Sequence, residues 1–352
     1  MNKMRVALIG CGTIGRYHLE HFKKMNDVEV VGVCDLIEER AAQFAAEVNC
    51  RPFSRFQDMY DAVKPDCVFI GIPPYCHGEV EFETIERRIP MFVEKPVGLD
   101  PAQFLTIRDK IREAGLITAS GLQLRYESNI PVLKAFAQKH RIVQANLTRI
   151  GGIPDVPWWK VRSLSGGQLV EQTIHQADMM RNVMADEPVE VFSFGGRNVV
   201  KGVEGFDVED TSVSLVRFES GALATMTTGC YAAGAECADN KLTFGAVDAR
   251  ADYYMFDKVA VYGDAGEEPD QGANAEVVKG DGRMVSKGSA RIYRPEGDCG
   301  MLCDHTFIEA ARTGDPSRIQ SPYEDAVKSV LFTLACNESM ETGKAVKVNV
   351  NL

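Results

Sequence analysis

Residues 166–178 read GGQLVEQTIHQAD. On one helix, Glu171, His175 and Asp178 would stack on one side, because residues three and four apart are helix neighbours. Leu169, Val170, Thr173, Ile174 and Ala177 would fall on another. Histidine titrates near neutral pH and can take or give a proton, and a carboxylate four residues earlier can hold its ring. The bland alternative is a solvated helix face. A second candidate is Lys95 in FVEKP, with Glu94 before it, at the end of an apolar run. A lysine there is either a surface charge or a group placed where ligands bind, beyond the carboxyl end of a strand in an open parallel sheet.

A third group of residues can hold a cofactor. VALIGCGTIG contains Gly10-x-Gly12-x-x-Gly15, between an apolar run and a helical pattern, and Asp35 closes the next apolar run. That context makes it a dinucleotide fingerprint. Gly10 allows the tight turn, Gly12 leaves room for a pyrophosphate, and Gly15 lets the helix pack on the strand. Thr13 and Ile14 begin that helix, whose free N–H groups favour an anion. Asp35 would accept hydrogen bonds from the adenine ribose and repel a 2′-phosphate. Leu36 supplies no compensating charge, and Arg40 is a turn further on, so NAD is favoured over NADP. A glycine turn in a non-binding domain is the alternative.

The elements that must position these groups alternate cleanly at first. RVALIG, VEVVGVCD, DCVFIGIPP, PMFVEKP and LITASG read as buried strands, separated by amphipathic helices. DPAQFLTIRDKIREAG has an Asp cap, a Pro at the first helical position and a Gly stop. Strands alternating with helices make a parallel sheet covered on both faces. The expected class is therefore α/β, with a doubly wound domain over 1–121. Residues 122–352 read as an α+β domain with a large, mostly antiparallel open sheet, including a hairpin turning at Glu219-Ser220-Gly221. GDAGEEPDQGANAEVV reads as a polar, acidic loop. HTFIEAARTG and PYEDAVKSVLFTLACNESMETGK read as two final helices.

The bulk numbers limit the partners. With 352 residues, two domains are expected, and a net charge of −11 argues against nucleic acid or an anionic membrane. No apolar stretch approaches the roughly 20 residues of a membrane span. The chain opens directly on a short apolar run and glycines, so a reducing cytoplasm without a secretory leader is expected. Several of the ten cysteines sit inside apolar runs, as buried thiols do. CGMLCDH, residues 299–305, matches no common zinc spacing, and no metal is expected.

Taken together, GCGTIGRYH, IPPYCH, EKP, GGQLVEQTIHQAD and ETGKAVKV resemble the Gfo/Idh/MocA oxidoreductases over the whole chain. That resemblance implies a Rossmann domain, a second domain with a large open sheet, last helices packing back on the first, and a cleft for NAD(P) and a sugar or polyol. It implies Lys95 as the catalytic lysine and His175 as the general base. Glu171 stands where many members have Asp, one methylene shorter. Ile72, Pro73, Pro74 and His77 match the segment under the nicotinamide ribose, with Glu94 and Lys95 beside it. Gln123, Arg125 and Tyr126 match the mouth of the substrate pocket. In this reading a secondary alcohol gives a hydride to nicotinamide and a proton to His175, while Lys95 polarises the oxygen.

The chain has two tryptophans, in PDVPWWKVRSLSGG. Trp159 can stack on a sugar with Lys160 and Arg162 bonding hydroxyls, or both rings can be core or subunit-interface residues. Two other functions stay open: an NAD-retaining glycosidase acting by transient oxidation, and a non-catalytic NAD-binding regulatory protein. Retention of Lys95 and His175 together argues against the latter. Helices are too few to cover both faces of the second sheet, so a homo-dimer or homo-tetramer is expected.

Overall fold

The structure is a computed structural model that describes residues 3–232, 234–263, 275–278 and 290–350. It divides into two compact units, Met1–Gln123 with Cys299–Val330, and Leu124–Asp298 with Leu331–Leu352.

The first unit contains six strands: β1 Met4–Ile9, β2 Val28–Cys34, β3 Arg51–Phe53, β4 Cys67–Ile70, β5 Met91–Val93 and β6 Thr118–Ser120. Their order is β3-β2-β1-β4-β5-β6, all parallel. This is the doubly wound order, in which the chain reverses direction across the sheet between β1 and β4. Apolar runs such as CVFI are buried along their whole length, as strands covered on both faces require. The intervening helices are α1 Thr13–Phe22, α2 Glu38–Val48, α3 Phe56–Val63, α4 Glu79–Glu86 and α5 Pro101–Ala114. Asp100 caps α5 by accepting from Ala102 N–H at 3.0 Å, and Gly115 ends it at φ +60. The sequence reading passes over β3 and α3. β3 is only three residues long and contains Pro52, which an edge strand tolerates.

Residues 299–330, which a boundary at 121/122 places in the second domain, cluster instead with this parallel-sheet unit. Two anchors explain it. Ser120 N–H donates to Ser321 O at 2.7 Å and Ser321 Oγ returns a bond to Ser120 O at 2.8 Å. Asp304, in the last helix but one, reaches His18 and His21 of α1.

In the second unit the elements continue with α6 Ile130–Lys139, β7 Ile142–Ile150, α7 Arg162–Ser165, α8 Gly167–Glu171 and α9 Ile174–Met184. After them come β8 Pro188–Gly196, β9 Thr211–Phe218, β10 Leu223–Gly229, β11 Asp239–Ala246, β12 Ala249–Tyr254 and β13 Lys258–Tyr262. β14 Ala275–Val278, β15 Ala290–Tyr293, α10 Cys299–Thr313, α11 Tyr323–Thr342 and β16 Val346–Lys347 complete the chain. The sheet has ten strands in the order β14-β15-β13-β12-β11-β7-β10-β9-β8-β16. Among the described residues, only β7 and β10 pair in parallel in this sheet. β9 and β10 form the expected hairpin, with Gly221 at φ +88. Of the acidic segment 263–278, residues 264–274 lie outside the described residues, and Ala275–Val278 is an edge strand.

One face of this sheet, with Leu147, Val216, Met226, Leu242 and Phe244, joins Leu133, Phe136, Met179 and Val183 of α6 and α9 in the unit's core. The other face keeps apolar side chains exposed. Phe194 pairs with Val213, and Phe192 with Leu215, in adjacent strands; Phe194 is 68% and Leu215 54% exposed.

Candidate active site

The glycine loop follows β1 directly. Gly10 has φ +95, and a Cβ there would lie 2.1 Å from Gly71 O; at Gly15 it would lie 1.9 Å from Gly10 O. Both positions exclude any side chain. Gly12 differs, since its Cβ would meet nothing within 4 Å. The loop is therefore packed tightly underneath and open at the N-terminus of α1, where a pyrophosphate would approach the backbone. These residues fit a dinucleotide. Asp35 ties the loop to β2: Oδ2 accepts Cys11 N–H and Oδ1 accepts Ile37 N–H, both at 2.8 Å. Each carboxylate oxygen keeps a second lone pair for a ribose hydroxyl. Burial, with Asp35 beside it, pushes the Cys11 thiol up to about 12, so the loop carries no thiolate against a phosphate. Leu36 is 87% exposed. Thr13 is exposed and Ile14 half-buried at the start of α1.

Lys95 follows β5, at the same carboxyl edge of the sheet as the glycine loop after β1. It is half-buried. Glu94, expected beside the nicotinamide, turns inward instead. It is buried, accepts Lys95 N–H on Oε2 at 3.1 Å, and has Oε1 3.1 Å from His18 Nε2. His77 also turns to the interior. Its Nδ1 lies 2.6 Å from Oε1 of Glu81, whose Oε2 accepts Gly78 N–H at 2.6 Å. Burial would raise the Glu81 carboxyl, but His77 and the backbone N–H hold it below its ordinary range. Ile72 and Pro73 are half-buried, Pro74 is buried in the short turn 74–76, and Gln123 is half-buried.

In the second unit the segment 166–178 is not one helix. α8 ends at Glu171 and α9 begins at Ile174. Thr173 N–H reaches back to Gln168 O at 3.0 Å, a π-type bond that admits an extra residue into the turn. Glu171 and His175 therefore do not stand one turn apart on a continuous helix. Glu171 accepts the indole N–H of Trp159 at 3.0 Å and also the amide of Gln172. Arg149 of β7 donates to Gln172 Oε1 at 2.6 Å. Burial lowers the Arg149 pKa, opposed by the charge of Glu171. His175 is half-buried at the first turn of α9.

Three residues expected at the substrate are engaged elsewhere. Arg125 grips Asp178 with two bonds, Nε to Oδ2 at 2.7 Å and Nη2 to Oδ1 at 2.5 Å, and both residues are buried. Asp178 also lies 3.6 Å from Arg181, so the third residue of the supposed helix face belongs to a buried ion cluster. Tyr126 is buried. Trp159 is fully buried with Val200, Phe206, Val208 and Cys230, so the core reading of this ring holds and the sugar-stacking one does not. Arg162 donates to Glu209 at 2.5 Å and its N–H to Asp207 at 2.6 Å. Lys160 is half-buried.

The signal for these roles was present only in part. A buried arginine and a buried tryptophan N–H each need a partner, but sequence does not say which carboxylate.

Two family models match the chain. One, described as "Oxidoreductase family, NAD-binding Rossmann fold", covers residues 4–122; the other, described as "GFO/IDH/MocA C-terminal domain", covers 139–267. Myo-inositol 2-dehydrogenase of Thermotoga maritima is 25% identical over 352 residues, spanning 98% of each chain. The 2,7-anhydro-N-acetylneuraminate hydratase of Escherichia coli is 25% identical over 230 residues, 63% of this chain and 61% of its own length. Levoglucosan dehydrogenase, solved with NADH and L-sorbose, superimposes with a TM-score of 0.82 at 17% identity, covering 99% of this chain and all of that one (100%). The two family matches fall in the order in which the two sheets are built, and the chain belongs to the Gfo/Idh/MocA family of oxidoreductases, whose N-terminal fold binds NAD.

Proposed function

We propose that this NAD-dependent oxidoreductase acts on a secondary alcohol, or the matching ketone, of a sugar, sugar derivative or cyclitol. The observation that carries the reading is the placement of the glycine loop and Lys95 at one carboxyl edge of one parallel sheet, the edge where such sheets bind their ligands. NAD, when bound, supplies the hydride acceptor. Lys95 stabilises negative charge on the substrate oxygen. His175 takes the alcohol proton in oxidation and returns it in reduction. Glu171, held by Trp159, stabilises the imidazolium of His175. Gln123 and Lys160, both half-buried, are the remaining candidates for binding hydroxyls. The cyclitol or sugar class is supported by the full-length similarity to an inositol dehydrogenase.

The test is a screen of sugars, inositols and their keto forms for change in NADH absorbance. Turnover on a member of these classes is expected; none on any of them, with NAD bound, would remove the reading. A second reading is kept by the similarity to a hydratase. In that reading NAD would stay on this protein and the reaction would have no net redox change. Protein that purifies with non-exchanging NAD and converts a sugar derivative without accumulating NADH would favour it.

We further infer a homo-dimer or homo-tetramer formed through the outer face of the ten-stranded sheet. The registered apolar pairs Phe194–Val213 and Phe192–Leu215 support a second copy as the occupant. Light scattering showing a monomer at micromolar concentration would remove this inference. A cytoplasmic location is supported by the buried thiols Cys11, Cys34, Cys67, Cys230 and Cys336. Among the described residues, no helix is long and apolar enough to cross a membrane.

A further inference from the structure

We propose that His18 is a positioning residue: held between Glu94 and Asp304, it fixes the strand end from which Lys95 projects. The inference rests on the role given to Lys95 above. His18 Nδ1 lies 2.8 Å from Asp304 Oδ2, and His18 Nε2 lies 3.1 Å from Glu94 Oε1. The other oxygen of Glu94 accepts the N–H of Lys95 at 3.1 Å. The chain Asp304–His18–Glu94 therefore runs from α10 through α1 to the backbone of the lysine itself. Every member is at least 95% buried, with Glu94 the most exposed at 5%.

Three features make this a built device rather than chance proximity. Gly121 leaves the space the carboxylate needs, since a Cβ there would lie 2.3 Å from Glu94 Oε1. The His18 ring is clamped by Phe69 and Phe92, each with its centroid 5.2 Å away. A second imidazole, His21, has Nδ1 2.7 Å from the same Asp304 oxygen, with Tyr17 packed on its ring at 4.3 Å. Both nitrogens of His18 face carboxylates, so both are donors and the ring is an imidazolium. Burial alone would depress its pKa, but Asp304 and then Glu94 outweigh burial and raise it to about 10.

The spacing fits hydrogen bonds better than a metal. Tetrahedral ligands about 2.0–2.1 Å from one ion stand roughly 3.3 Å apart, whereas both imidazole nitrogens lie within 2.8 Å of one Asp304 oxygen.

The experiment compares Asp304→Asn with Lys95→Ala in the full-length protein. Asp304→Asn should melt as a folded protein and bind NAD normally. Its kcat should fall by about 10- to 100-fold, the scale of a small misplacement at the reacting centre. The alkaline limb of its kcat profile should move to lower pH, because the carboxylate that favours the imidazolium is gone; a purely structural role would not move that limb. The wild type gives a second reading that needs no variant. With 15N-labelled histidine, His18 should stay doubly protonated until about pH 10 and lose its proton in step with kcat. Wild-type kcat and an unmoved limb in Asp304→Asn, or a level kcat while His18 deprotonates, would overturn the proposal, as would a stoichiometric metal in the purified protein. An active Lys95→Ala would instead remove the role of Lys95 and leave the relay without its purpose.

Discussion

The indole N–H of Trp159 donates to Glu171 Oε2 across 3.0 Å, inside a part of the second unit where both side chains are buried. Glu171 is thus fixed by a ring twelve residues earlier, not by the helical stacking that its spacing from His175 suggests. A buried carboxylate left without its donor costs more than the bond alone, because its desolvation is no longer offset.

Trp159→Phe keeps most of the volume and removes the donor. It should destabilise the protein by about 1.5–3 kcal/mol, the range for a hydrogen bond to a charged group. Turnover should fall while NAD affinity holds. Glu171→Gln should differ in stability alone. The amide oxygen still accepts from the indole, so the melting temperature should hold, but the imidazolium loses its stabilising charge and kcat should drop. Equal effects of the two variants on both readouts would remove Glu171 as the orienting partner of His175.

His175→Ala should lower turnover by roughly 10²–10⁴-fold, the usual contribution of a positioned proton-transfer group. NAD binding should barely change, because the glycine loop and Asp35 hold the cofactor by other contacts. In the oxidation direction the pH profile should show one group near neutrality that must be deprotonated. Near-wild-type turnover in the alanine variant would mean that the proton goes elsewhere.

How far these roles are legible in sequence depends on how local their causes are. Gly15 is readable because its constraint is the nearby backbone of Gly10, and Gly10 and Asp35 because the fingerprint fixes their spacing, although the backbone that crowds Gly10 is that of the distant Gly71. The six parallel strands are readable as short buried runs, except β3, whose proline and three-residue length disguise it. Glu94 is not readable. Its partner His18 lies 76 residues away, and that histidine's other partner, Asp304, lies 286 residues away. Asp178 looks like a member of an active-site face, yet its charge is taken by Arg125, 53 residues earlier. The break between α8 and α9 rests on one π-type bond, and a helical repeat gives no warning of it.

Cofactor choice can be tested at two neighbouring residues with different duties. Asp35 accepts two backbone N–H groups, from Cys11 and Ile37, so Asp35→Ala should loosen the glycine loop as well as lose the ribose contact. We expect a lower melting temperature and weaker NADH binding, with little gain for NADPH. Leu36 makes no such contribution and is largely exposed. Leu36→Arg alone should therefore leave stability intact and improve NADPH use by adding a phosphate partner. Fluorescence titration with both reduced cofactors checks this. A wild type that already prefers NADPH would show that the carboxylate does not set the preference.

Glu127 offers a stability test away from the chemistry. It is buried, and Tyr253 Oη at 2.8 Å and Phe256 N–H at 3.2 Å both donate to Oε1. Oε2 is buried without a hydrogen-bond partner. Burial raises the carboxyl pKa, and the two donors only partly oppose it. The sign follows from linkage. In acid both states hold the proton. As pH rises through the ordinary carboxylate range, the unfolded chain releases its proton first while the folded chain retains it, so the folded state binds more protons and stability falls with pH. Glu127→Gln removes that loss: its amide oxygen keeps both donors and its NH₂ takes the place of Oε2 without a charge. The variant should melt higher than wild type at neutral pH, and the difference should shrink toward zero as pH drops below the carboxylate range. Thermal melts across that range check it; a variant less stable than wild type at neutral pH would mean that the carboxylate, ionised, has a partner worth more than its burial costs.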